Sequence, residues 1–405
     1  MLNWLKRFNI FCFLDSCGYA DRNGKYEWLI AAGVRKQVSL THHNGFNELR
    51  EFYQNSNAWL FGHLGFELRS ATEKVEPGVA DVDFGAGFFF EPQFLLALKN
   101  DQLEVLMGDK GNIIDQIIST AILEEKSCST SEVFSTSFEY YLDKFNKIQE
   151  HLSSGDCYEI NYCISSGSDN FHEDPFQLYL SLQKNSPAPF SAFYRLNDKF
   201  CLCASPERYI QKVGKRLLSQ PMKGTTGRGK NIVEDHLQKE KLKADIKERT
   251  ENVMITDLVR NDLSKISLPG SVKVEELFGV YTFPNVHTLI TSVTGELSTD
   301  HNAIDALEAT FPMGSMTGAP KKRVLEIIND IEAGERGLFS GSIGYFAPGG
   351  DFDFNVVIRS LFIDAAINKV RFMSGGAITV MSDPQKEFEE CMLKASGMKK
   401  LLGVR

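Results

Sequence analysis

No apolar run in the sequence approaches the roughly 20 residues that a membrane-spanning helix requires. Positive charge is also in short supply. Lys and Arg number 44 against 53 Asp and Glu, a formal charge of -9, which argues against a nucleic-acid surface, because neutralising phosphates demands a basic field. Cys12, Cys17, Cys128, Cys157, Cys163, Cys201, Cys203 and Cys391 include no Cys-x-x-Cys pair and no zinc-finger spacing. They read as reduced thiols in a cytoplasmic protein. Leu-Asp-Ser-Cys at 14 to 17 follows Lys6, Arg7 and a short apolar run, in the manner of a lipoprotein cleavage site. Asp15 and Asn9 oppose that reading, and a buried first strand is expected instead. Neither a repeat nor a low-complexity tract is visible. What is present is ordinary: 405 residues, 42% hydrophobic and 24% charged, enough for one large core or two smaller ones without disulfides.

The first 125 residues alternate short strand-like runs, such as 27–32, 58–65 and 87–90, with Gly or Asn turns. A Ser/Thr/Lys/Glu-rich stretch from Glu124 to Ser137 precedes longer helices separated by strands, and marks a weak boundary. Tyr141, Phe145, Ile148 and Leu152 recur at helical spacing, and Gly155 and Asp156 stop that helix. Residues 233–262 read as one long helix with Leu242, Ile246, Val253 and Asp257 on one face and Glu248, Glu251, Ile255 and Leu258 on another. Asp383 and Pro384 start a last helix whose stripe is Phe388, Met392, Ala395 and Leu402, ending at Gly403. Strands are expected at 340–346, 354–362 and 370–374.

Several residues carry chemistry. Lys223, in Pro-Met-Lys-Gly-Thr (221–225), follows Glu207 of Ser-Pro-Glu-Arg (205–208) by sixteen residues. An amine and a carboxyl group on neighbouring strands supply a nucleophile or base and an acid. An isolated lysine is by default a solvated one. Glu248 with Glu251, and Glu387 with Glu390, are pairs three residues apart, so each pair shares a helix face. Two such faces repel unless a cation lies between them, and carboxylate oxygens with retained waters suit magnesium. Solvated faces are the commoner meaning of any one pair. Arg359, in Asp-Phe-Asn-Val-Val-Ile-Arg-Ser (353–360), ends an alternating stretch and suits two-pronged binding of a carboxylate, although a lone strand arginine is more often a surface ion pair. Gly-Ser-Ile-Gly-Tyr (341–345) and Ser-Gly-Gly-Ala-Ile (374–378) allow backbone to approach an anion, or simply mark bulges. Phe-Pro-Met-Gly-Ser-Met-Thr-Gly-Ala-Pro-Lys (311–321) is a punctuated loop before a helix near Lys321, whose N-terminus offers a positive dipole end to an anion.

These strings, over about residues 156–402, resemble those of the chorismate-utilising enzymes. The resemblance implies an α+β fold in which large antiparallel sheets pack face to face with helices outside and the site in a cleft; the strand and helix alternation alone leaves α/β open. It divides the chain into an N-terminal region (1–125) and a catalytic region (126–405) that form one co-folded unit. The position of Lys223 is usually alanine in anthranilate synthases and lysine in the members that aminate chorismate at C4. By that match Lys223 attacks C2 of chorismate and Glu207 protonates the departing C4 hydroxyl; ammonia then adds at C4 and releases the lysine. The product is 4-amino-4-deoxychorismate, the first intermediate of 4-aminobenzoate and folate synthesis. Partly desolvated and near Mg²⁺, Lys223 is expected to have a lowered pKa and to act as a nucleophile.

The resemblance also assigns Mg²⁺ to Glu251 and Glu390, supported by Glu248 and Glu387. It places Gly224, Thr225, Tyr345, Arg359, Gly375, Gly376 and Ala377 around chorismate, with Ala377 replacing a usual glycine. The anionic substrate requires a pocket that is locally basic, through Lys223 and Arg359, in an acidic protein. Thr288 stands where relatives commonly carry a histidine that handles the enolpyruvyl group, which fits a product that keeps that group; only His287 beside it can titrate. Thr226-Gly227 replaces an Arg-Pro-like pair. Leu-Asp-Ser (14–16) and Asn-Ser-Pro-Ala-Pro-Phe (185–190) resemble segments that bind tryptophan in some relatives, through Ser16, Pro189 and Phe190. The glutaminase signature Gly-x-Cys-x-Gly is missing, and Gly155-Asp-Cys-Tyr-Glu159 fails at its last position. Ammonia is therefore expected from a separate glutamine amidotransferase subunit, and a separate lyase is expected to remove pyruvate. Competing readings are anthranilate synthase component I, isochorismate or salicylate synthase, and a non-catalytic chorismate- or tryptophan-binding protein.

Overall fold

Period-two alternation of apolar side chains governs the strands and shows in how neighbours divide between two cores. In the computed structural model, which describes residues 1–73, 78–122, 132–284 and 286–403, Cys12, Ala31, Leu95, Tyr194 and Cys203 face one core. Phe11, Ile30, Leu96, Phe193 and Leu202, each next along the same strands, face the other. Strands buried on both sides need cover on both sides. In the first core they meet Phe61, Ile210, Val293, Ile343 and Phe354 from the rest of the sheet, so sheet packs on sheet. In the second they meet Phe176, Tyr179, Ala395 and Met398 from the helices Pro175–Asn185 and Pro384–Leu401. The result is the expected α+β arrangement.

Every strand pairing among the described residues is antiparallel. One route runs from Glu159–Ser168 through Lys369–Thr379, Ser360–Asp364, Lys199–Ser205 and Phe190–Leu196 to Ile10–Asp15 and Trp28–Leu40. It continues through Gly87–Lys99 and Leu60–Leu64 to Ser342–Phe346, Phe352–Asn355, Arg208–Val213, Arg216–Gln220 and Val286–Glu296. The N-terminal strands thus link two arms built from the later chain. The predicted boundary at 125/126 lies outside the described residues. Asn100 and Asp101, both at positive φ, make the tight turn from Gly87–Lys99 into Gln102–Met107.

Three expectations change. The predicted helix at 233–262 is two helices, Ile232–Ala244 and Ile246–Ser264. Asp245 adopts an extended backbone and its carboxylate accepts from the Glu248 amide, so it ends one helix and caps the next. Ile246 and Val253 are exposed, whereas Glu251, Asn252, Ile255, Thr256 and Val259 are buried. The strand expected at 354–362 breaks into Phe352–Asn355 and Ser360–Asp364, with Arg359 between them at φ 54°. On the last helix the buried stripe is Glu387, Cys391, Ala395, Met398 and Leu402; Phe388 and Met392 are half-buried. The helix Phe138–Ser153 and the Asp383 cap match expectation. No helix among the described residues is long and apolar enough to cross a membrane.

Candidate active site

Lys223 is aimed by an irregularity in its strand. Met222–Gly227 pairs with Val286–Glu296, and the register shifts between Met222 and Thr225. A shift of this kind redirects side chains out of the ladder. Gly224 holds φ 88°, and a Cβ there would lie 2.9 Å from Glu248 Oε2, so glycine alone lets this strand lie against the acidic helix. Thr288 donates its hydroxyl to the Gly224 carbonyl at 2.8 Å, which secures the distortion.

A cavity of about 110 Å³ joins Glu207, Lys223, Gly224, Thr225, Glu248, Glu251, Arg359, Gly375, Ala377, Glu387 and Glu390. It also takes in Asn161, Ser315 and Lys394, and shares Thr225, Arg359, Glu390 and Lys394 with a groove of about 800 Å³. Glu207 follows the strand Lys199–Ser205 and is 4% exposed. Burial pushes its carboxyl up to about 7, against opposing hydrogen bonds from the Ser315 hydroxyl and Met222 amide and the charges of Lys223 and Lys394. Its environment is that of a general acid.

Lys223 Nζ lies 2.6 Å from Oε1 of Glu159, a fully buried residue. Desolvation by itself lowers an ammonium pKa; the charges of Glu159, Glu251 and Glu390 outweigh it and hold Lys223 above the usual lysine range. Desolvation therefore does not by itself produce the lowering expected beside Mg²⁺. Sequence reasoning missed Glu159, treating its segment only as a failed glutaminase signature. A carboxylate inside the apolar strand Glu159–Ser168 was the available signal.

Two acidic helices bring Glu248 and Glu251 toward Glu387 and Glu390. Lys247 Nζ is 2.7 Å from Glu387 Oε1 and 3.6 Å from Glu251 Oε1, and Lys394 Nζ is 2.6 Å from Glu390 Oε1. Burial, then the charges of Glu159 and Glu248, push Glu251 up to about 7 against Lys223 and Lys247. Burial and Glu390 also raise Glu248. Glu390 is lowered: burial acts upward, and the lysines, Lys394 foremost, override it. Among the described residues no three His, Cys, Asp or Glu side chains already meet at a metal-holding distance. The site nevertheless suits a divalent cation. Glu251 Oε1 is buried without a hydrogen bond. Glu159, Glu207, Glu248, Glu251, Glu387 and Glu390 are six carboxylates facing four cations, Lys223, Lys247, Arg359 and Lys394. Oxygen ligands with unbalanced charge are what Mg²⁺ takes.

The Arg359 guanidinium lines the cavity and, among the described residues, has no hydrogen-bond or ion-pair partner. A guanidinium without a carboxylate is a ready anion site. Burial lowers its pKa and the charge of Glu390 partly restores it.

Other predicted residues sit elsewhere. Tyr345 lies outside this cavity, against Tyr26, Trp59 and Phe61, and lines a separate cavity of about 230 Å³. Its strand Ser342–Phe346 contributes Ile343 and Tyr345 to that separate cavity and no residue to the one around Lys223. That second cavity does bring Ser16, Pro189 and Phe190 together. Gly376 faces the last helix, where a Cβ would sit 3.8 Å from Glu387 Oε2. The helix N-terminus at Lys321 does not line the cavity; Lys321 Nζ is committed to Asp262 Oδ2 and the Thr310 carbonyl, and the 311–321 segment contributes Ser315 and Met316 instead. His287 turns away to Asp235 and Thr282, so it does not replace the missing histidine at 288.

Comparison with known proteins gives the same direction. An Escherichia coli K12 protein named aminodeoxychorismate synthase component 1 is 36% identical over 364 residues, 86% of this chain and 77% of that protein. The chloroplastic aminodeoxychorismate synthase of Arabidopsis thaliana is 39% identical over 276 residues, 67% of this chain and 30% of that one. The chain spans about half the length or less of most curated relatives it matches. The crystal structure of anthranilate synthase component I from Streptococcus pneumoniae TIGR4 superposes with a TM-score of 0.83 at 21% identity, over 94% of this chain and 93% of that one, a likeness of fold. The sequence pattern of chorismate binding enzymes matches residues 15–400, and the chain belongs to that family.

Proposed function

We propose that the chain aminates chorismate at C4 with ammonia to give 4-amino-4-deoxychorismate. The observation that carries this reading is one cavity holding a paired lysine, a protonatable buried carboxyl and a guanidinium unpartnered among the described residues: Lys223, Glu207 and Arg359. Arg359 and Thr225 hold a carboxylate of the substrate, and the glycine-bearing strand at Gly375 lets it lie close to backbone. Glu207 gives its proton to the departing C4 hydroxyl. Lys223 attacks C2, and ammonia displaces it by adding at C4. Glu251 and Glu390, with Glu248 and Glu387 beside them, would hold Mg²⁺, which supplies charge neutralisation for a substrate carboxylate. Thr288 offers no acid or base, since its hydroxyl is turned to the Gly224 carbonyl. That supports retention of the enolpyruvyl group and disfavours anthranilate as product.

Ammonia comes from a glutamine amidotransferase subunit; the word component in the name of the Escherichia coli relative supports a partner. A separate lyase completes 4-aminobenzoate, in the cytoplasm. The cavity at Ser16, Pro189 and Phe190 takes tryptophan, and a thermal-shift titration with tryptophan that moves nothing removes that part of the proposal.

The test is product identity. The purified chain is incubated with chorismate, Mg²⁺ and ammonium, and the product is separated and weighed by mass spectrometry. An aminated product that keeps its enolpyruvyl group is expected. Anthranilate with released pyruvate, or unchanged chorismate, overturns the reading.

A further inference from the structure

Nucleophilic attack by Lys223 needs a free lone pair, and the 2.6 Å ion pair of Nζ with Glu159 Oε1 favours the ammonium ion instead. Something must take that proton. Glu207 has the opposite task, delivering a proton to the leaving hydroxyl. Glu251 and Glu390 act on the ammonium by charge, and neither lies within ion-pair distance of it. Lys394 and Arg359 are cations and accept nothing. Glu159 remains: its Oε1 is 2.6 Å from Nζ, it is fully buried, and apart from the Lys223 ammonium neither of its carboxylate oxygens has a partner among the described residues.

Its backbone is held from both sides. Glu159 pairs with Thr379 on one edge and with Ala319 on the other, and a Cβ on Gly318 would come within 2.0 Å of the Glu159 carbonyl. The carboxylate is thus aimed at the lysine by a rigid element with no other partner to serve.

Building on the proposed amination, we propose that Glu159 is the proton acceptor that frees the Lys223 amine for attack on the substrate. The proton passes from Nζ to Oε1, and the nitrogen lone pair forms the C–N bond at C2. The two ring double bonds shift, from C1=C2 and C5=C6 to C1=C6 and C4=C5, the C4–O bond breaks, and the hydroxyl leaves as water with the Glu207 proton. Ammonia then bonds to C4 while the C2–N bond breaks and returns its electron pair to Lys223. Glu159 gives the proton back to Lys223, and the new ammonium at C4 reprotonates Glu207.

The test compares the whole chain with Glu159→Gln and Glu159→Asp, using chorismate and a constant concentration of free ammonia across pH 6–10, with thermal melts to confirm folding. Glu159→Gln is expected to lower kcat by about 10²–10⁴ at neutral pH, with the KM for chorismate nearly unchanged. Below about pH 7 its rate should climb about tenfold per pH unit where the parent's is flat, and above it the climb should offset the falling limb set by Glu207, because an ammonium without its counterion titrates at lower pH. Glu159→Asp, which keeps an acceptor, should retain the parent's profile at reduced kcat and carries the test if the glutamine variant does not fold. Parent-like kcat in Glu159→Gln, or a profile parallel to the parent's in that variant, overturns the assignment, as does an Asp variant that shows the climb. An inactive parent chain overturns the amination reading itself, a distinct outcome.

Discussion

Lys247 on the Ile246–Ser264 helix lies 2.7 Å from Glu387 on the Pro384–Leu401 helix, so one ammonium bridges two acidic faces. It neutralises one charge where several are gathered. Mg²⁺ should therefore stabilise the chain, by about 2.7 kcal/mol at a hundredfold excess over its Kd. Lys247→Met should melt at a lower temperature in EDTA and show a larger rise with Mg²⁺, and Glu251→Gln should lose most of that rise. Melting curves at matched ionic strength check this; no Mg²⁺-dependent rise in any form of the chain would remove the metal assignment.

Arg359 stands in the cavity without a side-chain partner among the described residues. Arg359→Ala should lower kcat/KM for chorismate by about 10- to 100-fold, the worth of a charged hydrogen-bond pair. Arg359→Lys should restore little, because an ammonium cannot reproduce the two-pronged geometry. Melting temperatures should barely change, since no protein carboxylate loses its partner. Steady-state kinetics beside thermal melts separate the two effects.

Glu207 is raised by burial to about 7. A raised carboxyl keeps its proton below that pH and loses it above. Donation to the leaving hydroxyl needs the proton, so at constant free ammonia log kcat/KM should be flat below about 7 and fall with unit slope above it. Glu207→Gln should abolish the falling limb and leave about 10²- to 10⁴-fold less activity. A profile whose limb survives in Glu207→Gln would assign that limb to another group.

Gly224 holds φ 88° with Glu248 Oε2 2.9 Å from where a Cβ would stand. Gly224→Ala adds backbone strain of about 1–3 kcal/mol and displaces Glu248. Lower thermal stability together with a weaker Mg²⁺ response is the expected result. Gly227, with open space around it, serves as the control: Gly227→Ala should be nearly neutral.

Much of the site could be read along the chain because it depends on local spacing. Glu248 and Glu251, three residues apart, share a face whatever the rest of the fold does, and Asp383-Pro384 starts a helix by its own capping chemistry. Misread elements fail where a local rule met a competing one. The apolar spacing across 233–262 predicted a single helix, and Asp245, a residue that serves a cap better than a helix interior, divided it. Tyr345 was assigned by its neighbourhood in the sequence, but the fold sets its strand against a separate cavity.

By itself the sequence determined which chemistry is available: an amine at 223, a carboxyl at 207, two acidic helix faces and a guanidinium at 359. Tertiary structure alone decided which of these groups meet and in what charge state. Glu159 and Lys223 are 64 residues apart in the chain, and only the antiparallel sheet places them 2.6 Å from each other in a buried cavity. There the field of neighbouring carboxylates reverses the shift that burial alone imposes on the lysine. The reason is physical: identity of a side chain is local, whereas its solvation and the charges around it are sums over everything the fold brings near.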